Sequence, residues 1–389
     1  MKIAKVYPRW QVVPGHKQLM APIKPILPMV PPLLSGSNKP LAMNSEELLN
    51  ILTYYHMQEF SSGRELVQAL EEDDYARNLI APAGGIKRST FFDTVNDRGV
   101  EQLLCVFTEL QKKATAVLPS QYMELGDLVA IDGSLIDSVL SMHWAEYRTN
   151  SKKAKLHLGF NLNQGIPRKL FLTEGNGAER PFVSQLIDAG QTAVLDRGYQ
   201  AHHLFDQWQD DGCHFVCRIK GKTKKEVLQE YPLSENSHVF FDAQVLLGTP
   251  RVNQTEKPVR LVGYTVADIQ YWVATDRYDL TAEQVALAYK LRWDIEKFFA
   301  WWKRHLNVYH LFARSKNGLM VQILSGLITY LLLAIYCHEE HQESVSIRRV
   351  RQLRNRIRNE VIMHARKKST VRKRKKKKSP KNKKRPAKS

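Results

Sequence analysis

Leu128-Val129-Ala130-Ile131-Asp132-Gly133-Ser134 and, further along, Ala193-Val194-Leu195-Asp196-Arg197-Gly198-Tyr199 are two apolar runs that each end in an aspartate. A short apolar run without alternation is the pattern of a strand buried on both faces, as in the parallel part of an α/β sheet. A carboxylate at its carboxyl end reaches the sheet rim, where ligands of such sheets gather. If the two strands are neighbours, Asp132 and Asp196 converge, and paired hard oxygen donors suit Mg²⁺. Taken singly, each aspartate reads first as a turn residue, because Asp132-Gly133 and Asp196-Arg197-Gly198 are both turn-like.

Outward from these runs, strand signals recur at 128–131, 157–162, 169–173, 193–195 and 214–219, separated by loops such as Asn163-Gln164-Gly165-Ile166-Pro167. With a helix expected over 178–189, they predict an α/β sheet built as a meander followed by a crossover. Residues 222–277 hold further short strands, at 239–241, 259–266 and 271–274, and predict a β-rich insertion. Upstream, residues 44–118 have a helical pattern. Ser62 followed by Glu65 is a capping box, and Gly84-Gly85 precedes a second short helix that starts near Ser89. With Lys87, Arg88, Ser89 and Thr90 at its start, this pair fits a DNA-reading helix-turn-helix, and a plain helical bundle fits as well.

Downstream, Thr281 with Gln284 three positions on opens a long helix expected to reach Leu306. Taking Tyr289 as zero and 100° per residue, Arg292, Glu296 and Lys303 fall within a 60° stripe beside it. Leu287, Leu291, Ile295, Phe298, Trp302 and Leu306 occupy the opposite side. A charged stripe is commonly only a solvated face. Trp293 beside the stripe and Trp301 argue against that here, so Glu296 becomes a candidate third carboxylate flanked by cations.

In these three motifs, Asp132-Gly133-Ser134, Asp196-Arg197-Gly198-Tyr199 and Tyr289-x2-Arg292-x3-Glu296-x6-Lys303, the chain resembles bacterial DDE transposases of the insertion-sequence-four family. Trp144-Ala145-Glu146-Tyr147-Arg148, Lys155-Leu156-His157, Ser89-Thr90-Phe91 and Asn96-Asp97-Arg98 also resemble segments of that family, over about Asn44 to Tyr336. The resemblance implies an RNase H-like catalytic domain with a β-rich insertion and cut-and-paste DNA chemistry. It further implies that Asp132 bridges two Mg²⁺ ions, with Mn²⁺ able to substitute, while Asp196 and Glu296 each complete one coordination shell. Tyr289, Arg292, Lys303, Trp293, Arg197, Tyr199, Lys87, Arg88 and Ser89 are expected to meet DNA, with Trp293 either stacked on an unpaired base or packed in the core. The expected partners are double-stranded DNA, as element ends and as target, and a second copy of the chain that pairs two ends. An inactive DNA-binding relic and a nuclease without strand transfer are the alternatives.

The expected organisation is a proline-rich extended arm (1–43), a helical DNA-binding domain (44–120), the catalytic domain (121–342) and a basic tail (343–389). Of the net charge of +19, the last segment accounts for all: it has 21 Lys/Arg and two acids, whereas residues 1–342 hold 37 of each sign. A neutral body weakens any reading in which the fold attracts a polyanion through bulk charge, and favours locally placed cations helped by a tail. The tail, from Arg366 onward, is too charged to bury and is expected to be disordered in isolation. Four cysteines in so long a chain suggest no disulfide framework, and the prolines after Met1 interrupt any secretory core, so a cytoplasmic, nucleoid-associated setting is expected. Leu319–Cys337 is apolar enough to span a membrane, but Gln322, Ser325, Gly326 and Thr329 favour a buried core helix. No Walker-type run is present, so no nucleotide cofactor is implied, and the Cys-His groups near 213 and 337 lack zinc-finger spacing.

Overall fold

A computed structural model describes residues 14–35, 40–138, 142–148, 151–235 and 237–378 of the chain. Helix α1 (Gly15–Leu19) and two 3-10 turns follow one another in the proline-rich segment and bury Leu19, Ile23 and Ile26. The expected extended arm is therefore folded over this stretch. Pro22 and Pro28 stand in the first turn of those 3-10 segments, where a missing amide hydrogen leaves no bond unmade.

Five helices come next: α2 (Ser45–Gln58), α3 (Gly63–Glu72), α4 (Asp74–Leu79), α5 (Arg88–Asp97) and α6 (Val100–Val117). Asn44 and Glu47 close a full capping box on α2. On α3 the Ser62 hydroxyl accepts from the Glu65 amide as expected, but the Glu65 carboxylate turns instead to the Ser61 amide and hydroxyl.

The sheet comprises β1 (Leu128–Asp137), β2 (Glu146–Arg148), β3 (Ser151–Asn161), β4 (Ile166–Glu174), β5 (Thr192–Leu195), β6 (His214–Arg218), β7 (Lys225–Glu230), β8 (Val239–Leu247), β9 (Val259–Val266) and β10 (Ile269–Thr275). The chain is mixed α/β. Strands β4, β3 and β1 form an antiparallel meander, and β5 and β6 add in parallel beside β1. That order is the one expected of an RNase H-like core. The insertion strands continue the same sheet, because β10 pairs antiparallel with β6 and leads through β9 and β8 to β7. Helix α7 (Val183–Leu186) covers only the middle of the helix expected over 178–189, and α8 (His202–Asp210) follows β5.

Strand alternation splits the core in two. Leu128, Ala130, Val194 and Val216 face α9 (Ala282–Leu291), α10 (Trp293–His305) and α11 (Lys316–His341), while Val129, Ile131, Ala193, Leu195 and Phe215 face α7 and α8. The first cluster also contains the apolar sides of α2 to α6, so the amino-terminal helices and the sheet share one interior. Helix α11 is its axis. The apolar window of α11 is 89% buried, its polar side chains are bonded, as Gln322 Nε2 is to the His310 carbonyl at 2.9 Å, and it has the character of a core helix. Gly326 lets the Trp302 ring lie against it, since a Cβ there would be 3.1 Å from the indole nitrogen.

The last helix, α12 (Ile347–Lys378), begins inside the fold. Val350, Leu353 and Ile357 are buried, and the buried Arg354 guanidinium donates to the Met57 carbonyl at 2.8 Å and meets Glu59 and the His305 carbonyl. Helix also continues past Arg366 to Lys378, where charge alone suggests disorder; Lys and Arg are good helix formers, and a helix already nucleated by packing extends at little further expense.

Candidate active site

Strands β1 and β5 pair in parallel with Ala130 opposite Val194. Two residues further along each chain come Asp132, inside β1, which runs on to Asp137 beyond the position where it was expected to end, and Asp196, just past the end of β5. The two carboxylates are close enough for Asp196 to act on Asp132. The turn reading of each aspartate holds at the same time: Asp132 Oδ1 accepts from the Gly133 amide at 2.8 Å, and Asp196 caps a 3-10 turn by accepting from the Gly198 amide at 2.7 Å. Burial pushes the Asp132 carboxyl up to about 7; the Gly133 amide opposes this, Glu179 and Asp196 add to it, and Arg292 opposes it.

The expected single helix from Thr281 is broken at Arg292. The Thr281–Gln284 capping box is present, but at the break the Arg292 amide bonds three residues back, to Tyr289 at 3.1 Å, and α9 gives way to α10. The residue keeps right-handed helical dihedrals, so the stripe survives the interruption. Arg292 is buried and grips Glu296 at 2.6 Å, and its field also reaches Asp132. Glu296 is thus linked through the Arg292 guanidinium to Asp132 alone of the two aspartates, and among the described residues no three His, Cys, Asp or Glu side chains are placed to share one ion.

The other stripe residues are used more internally than the sequence suggests. Tyr289 is buried, with Arg292 lying 5.9 Å from its ring centre. Lys303 donates to the Leu135 carbonyl of β1 at 2.6 Å, and burial pulls its ammonium down to about 8. Trp293 is 55% exposed, which removes the core-packing alternative. Arg197 is exposed beside Asp196, whereas Tyr199 is buried: burial first, then Glu179, Asp132 and Asp196, hold its phenol well above the usual range. Tyr199 faces the interior of the site and has no surface to offer DNA. Lys87, Arg88 and Ser89 stand exposed at the start of α5; Arg88 and Ser89 line a cavity with Arg64 and Arg314 that contains none of the three carboxylates. His157 is a buried sheet histidine whose Nε2 is bonded to Thr173 Oγ1 at 2.8 Å and whose ring stacks on Phe182, while its Nδ1 has no partner among the described residues.

A fourth carboxylate escaped the sequence reading. Glu179 pairs with Lys155 at 3.1 Å and lies against Gly133, where an added Cβ would be 2.7 Å from its Oε1. Lys155 also donates to the Gly177 carbonyl at 2.9 Å, fixing the loop that presents Glu179. A lone acid in a polar, glycine-rich loop has no periodic signal, and the expected helix over 178–189 placed it at a helix start instead.

Residues 124–332 match the family described as "Transposase DDE domain". A "Probable transposase for insertion sequence element IS5377" of Geobacillus stearothermophilus is 30% identical over 52% of this chain and 55% of its own length. A "Putative transposase y4zB" of Sinorhizobium fredii is 25% identical over 49% and 56%. A "Putative transposase for insertion sequence element IS4SA" of Synechocystis is 24% identical over 64% and 71%. The chain therefore spans about half the length of the first two curated relatives.

Proposed function

The chain belongs to the DDE transposases of the insertion-sequence-four type, and from that premise we propose that it cuts DNA at the ends of an insertion element and joins the freed ends to a target duplex. One observation supports this above the rest: the parallel β1–β5 pairing brings Asp132 and Asp196 near one another, with Arg292, the partner of Glu296, acting on Asp132. Asp132 is a buried carboxyl pushed up by burial and by the Glu179 and Asp196 charges, with Arg292 opposing, and its hard oxygens beside those of Asp196 suit a dication. Asp132, Asp196 and Glu296 would hold two Mg²⁺ ions, or Mn²⁺ in their place. A bound metal pair activates the attacking water or 3′ hydroxyl and stabilises the leaving 3′ oxygen.

The protein's own groups do the rest. Arg292 holds the Glu296 carboxylate and, when Glu296 turns to another partner, is free to take a phosphate oxygen. Lys303 braces α10 against β1 and adds positive potential for a neighbouring phosphate. Exposed Trp293 has an open face for an unpaired base. Lys87, Arg88 and Ser89 on the helical unit, and Arg197 at the site, meet the duplex backbone. Two copies of the chain pair two ends.

Replacing Asp132, Asp196 or Glu296 by Ala should abolish Mg²⁺-dependent cleavage of an end-containing duplex while leaving duplex affinity within about twofold. Full cleavage by any of the three variants would sink the assignment. A second reading, an inactive DNA-binding relic, draws support from the Glu296 carboxylate being tied to Arg292 rather than turned to the aspartates. A divalent-ion titration separates the two, since a relic gives no metal-dependent scission. A strand-transfer assay then distinguishes the transposase from a nuclease that never rejoins strands.

A further inference from the structure

We propose that a basic cavity on the α8 side of the sheet edge is the seat of the target duplex, gripped by its phosphate backbone while an element end occupies the α9–α10 side. The inference rests on the transposase reading above. A cavity of about 730 Å³ is lined by Arg197, the chain neighbour of Asp196, and by Arg180, Lys220, Lys222 and Lys224. All five side chains are exposed, and among the described residues none of the five is ion-paired. The acids at its wall do not cancel them. Asp206, which accepts from the Glu256 and Lys257 amides at 3.0 and 2.9 Å, and Glu256 are two acids against five cations, so the wall stays positive. In a body whose charges sum to zero, five unpaired cations around one cavity are a placed feature rather than a share of a general excess.

The lysines are also mounted rigidly. Gln200 accepts from the Lys220 amide at 2.9 Å and donates to Thr223 Oγ1 at 3.0 Å. Thr223 Oγ1 donates back to the Lys220 carbonyl at 2.7 Å, and the Gly248 amide donates to the Lys224 carbonyl at 2.8 Å. The backbone of this β6–β7 turn is therefore pinned between the start of α8 and the end of β8, while its ammonium groups remain free. Arg180 is tied in the same way, its Nε donating to the Gly198 carbonyl at 2.8 Å. Preset cations lose less entropy on meeting a phosphate backbone than flexible ones do.

Placement selects the target over the end. Arg292, Tyr289 and Trp293 belong to the face of the sheet that packs on α9 and α10, whereas the cavity belongs to the face that packs on α7 and α8. Asp132, in β1, and Asp196, just past the end of the adjoining β5, lie between them. Joining requires the cleaved end and the recipient phosphodiester at the carboxylates together, in line across one phosphorus, so two duplexes must approach from different sides. The freed 3′ hydroxyl attacks a target phosphorus, one target P–O bond breaks, and its proton passes to the departing target 3′ oxygen, which leaves the count of phosphodiesters unchanged.

The test uses the full chain with Lys220→Gln, Lys222→Gln and Lys224→Gln combined, because only free ammonium groups are removed. We expect cleavage of an end-containing duplex to stay within about twofold of wild type and joining of a pre-cleaved end to an unrelated duplex to fall at least tenfold. The slope of log affinity against log salt for the unrelated duplex should shrink by about two to three. Unchanged joining overturns the proposal. So does a parallel loss of cleavage and joining, which would assign the cavity to the element end. Should the wild-type chain neither cleave nor join, the transposase reading fails separately, and an unchanged salt slope in the variant would still refute the cavity as a duplex seat.

Discussion

Gly133 shows how narrowly the candidate site is drawn at the level of one residue. It follows Asp132 directly, its amide caps that carboxylate, and the space a side chain would fill is taken by Glu179 and, at 3.2 Å, by the Lys155 stem. Burial holds the Asp132 carboxyl up at about 7 and the Glu179 charge adds to it, so moving Glu179 shifts how readily Asp132 ionises. A methyl at position 133 would push the Glu179 carboxylate aside. Because the displaced atoms end a flexible side chain, folding should tolerate the change. Gly133→Ala is expected to lower end cleavage by about tenfold, the size of effect that small misplacements at a reacting centre produce, with an unfolding midpoint close to wild type. Unaltered cleavage would mean that Glu179 is a bystander. Asp132 and Asp196 were legible because each follows an apolar run, although only Asp196 stands at a strand end, β1 continuing past Asp132 to Asp137 against β3; Glu179 was not, because its place beside them is set by a loop and by Lys155 from another strand.

At the level of elements, the sequence was informative wherever a residue type and a period agreed. Strand β9 coincides with the expected 259–266, and the Thr281 capping box starts α9 where it should. What escaped depended on partners distant in the chain. Strand β7 exists because β8 lies beside it, and its side chains are mostly exposed, so no burial pattern marks it. The break at Arg292 is likewise a tertiary event in an otherwise helical stripe. His56 displays the same dependence in energetic form. It lies on α2, fully buried, with Nδ1 on the Leu306 carbonyl and Nε2 2.9 Å from Ser325 Oγ of α11. Burial lowers its pKa to about 4, and that of His16, bonded to Asn50, to about 4 as well. Both are held neutral in the fold and take up protons more readily when unfolded. Their contribution to stability is complete above about 6.5 and is lost as pH falls from there toward 4. Between pH 7 and pH 5 each should remove about 2 kcal/mol of unfolding free energy. Urea titrations at the two values should show this loss, and His56→Gln should cut it by about half. A variant that keeps the full pH dependence would show that protons are taken up elsewhere.

Across the whole molecule, charge and packing are divided in a way the linear sequence half reveals. Counting charges places the entire excess after residue 342, but counting alone does not reveal that the segment begins as folded structure: Val350, Leu353 and Ile357 alternate with cations at helical spacing, and α12 enters the common core through them. The same common core joins α2 to α6 with the sheet, so the amino-terminal helices and the carboxylate edge hold a fixed relation wherever DNA contacts both. Arg354 ties α12 into this body through Met57, Glu59 and His305. Deletion should therefore separate two functions along one helix. Removing residues 366–389 leaves that anchor in place and takes away 15 Lys/Arg, so the truncated chain should fold with unchanged melting behaviour. Its affinity for any duplex should drop strongly at about 50 mM salt and far less at about 200 mM, because counterion release is what the removed cations contribute. A truncated chain whose affinity matches the full chain across that salt series would show that the tail does not touch phosphate. A truncated chain that loses its melting transition would show instead that α12 stabilises the fold beyond Arg354 and Ile357.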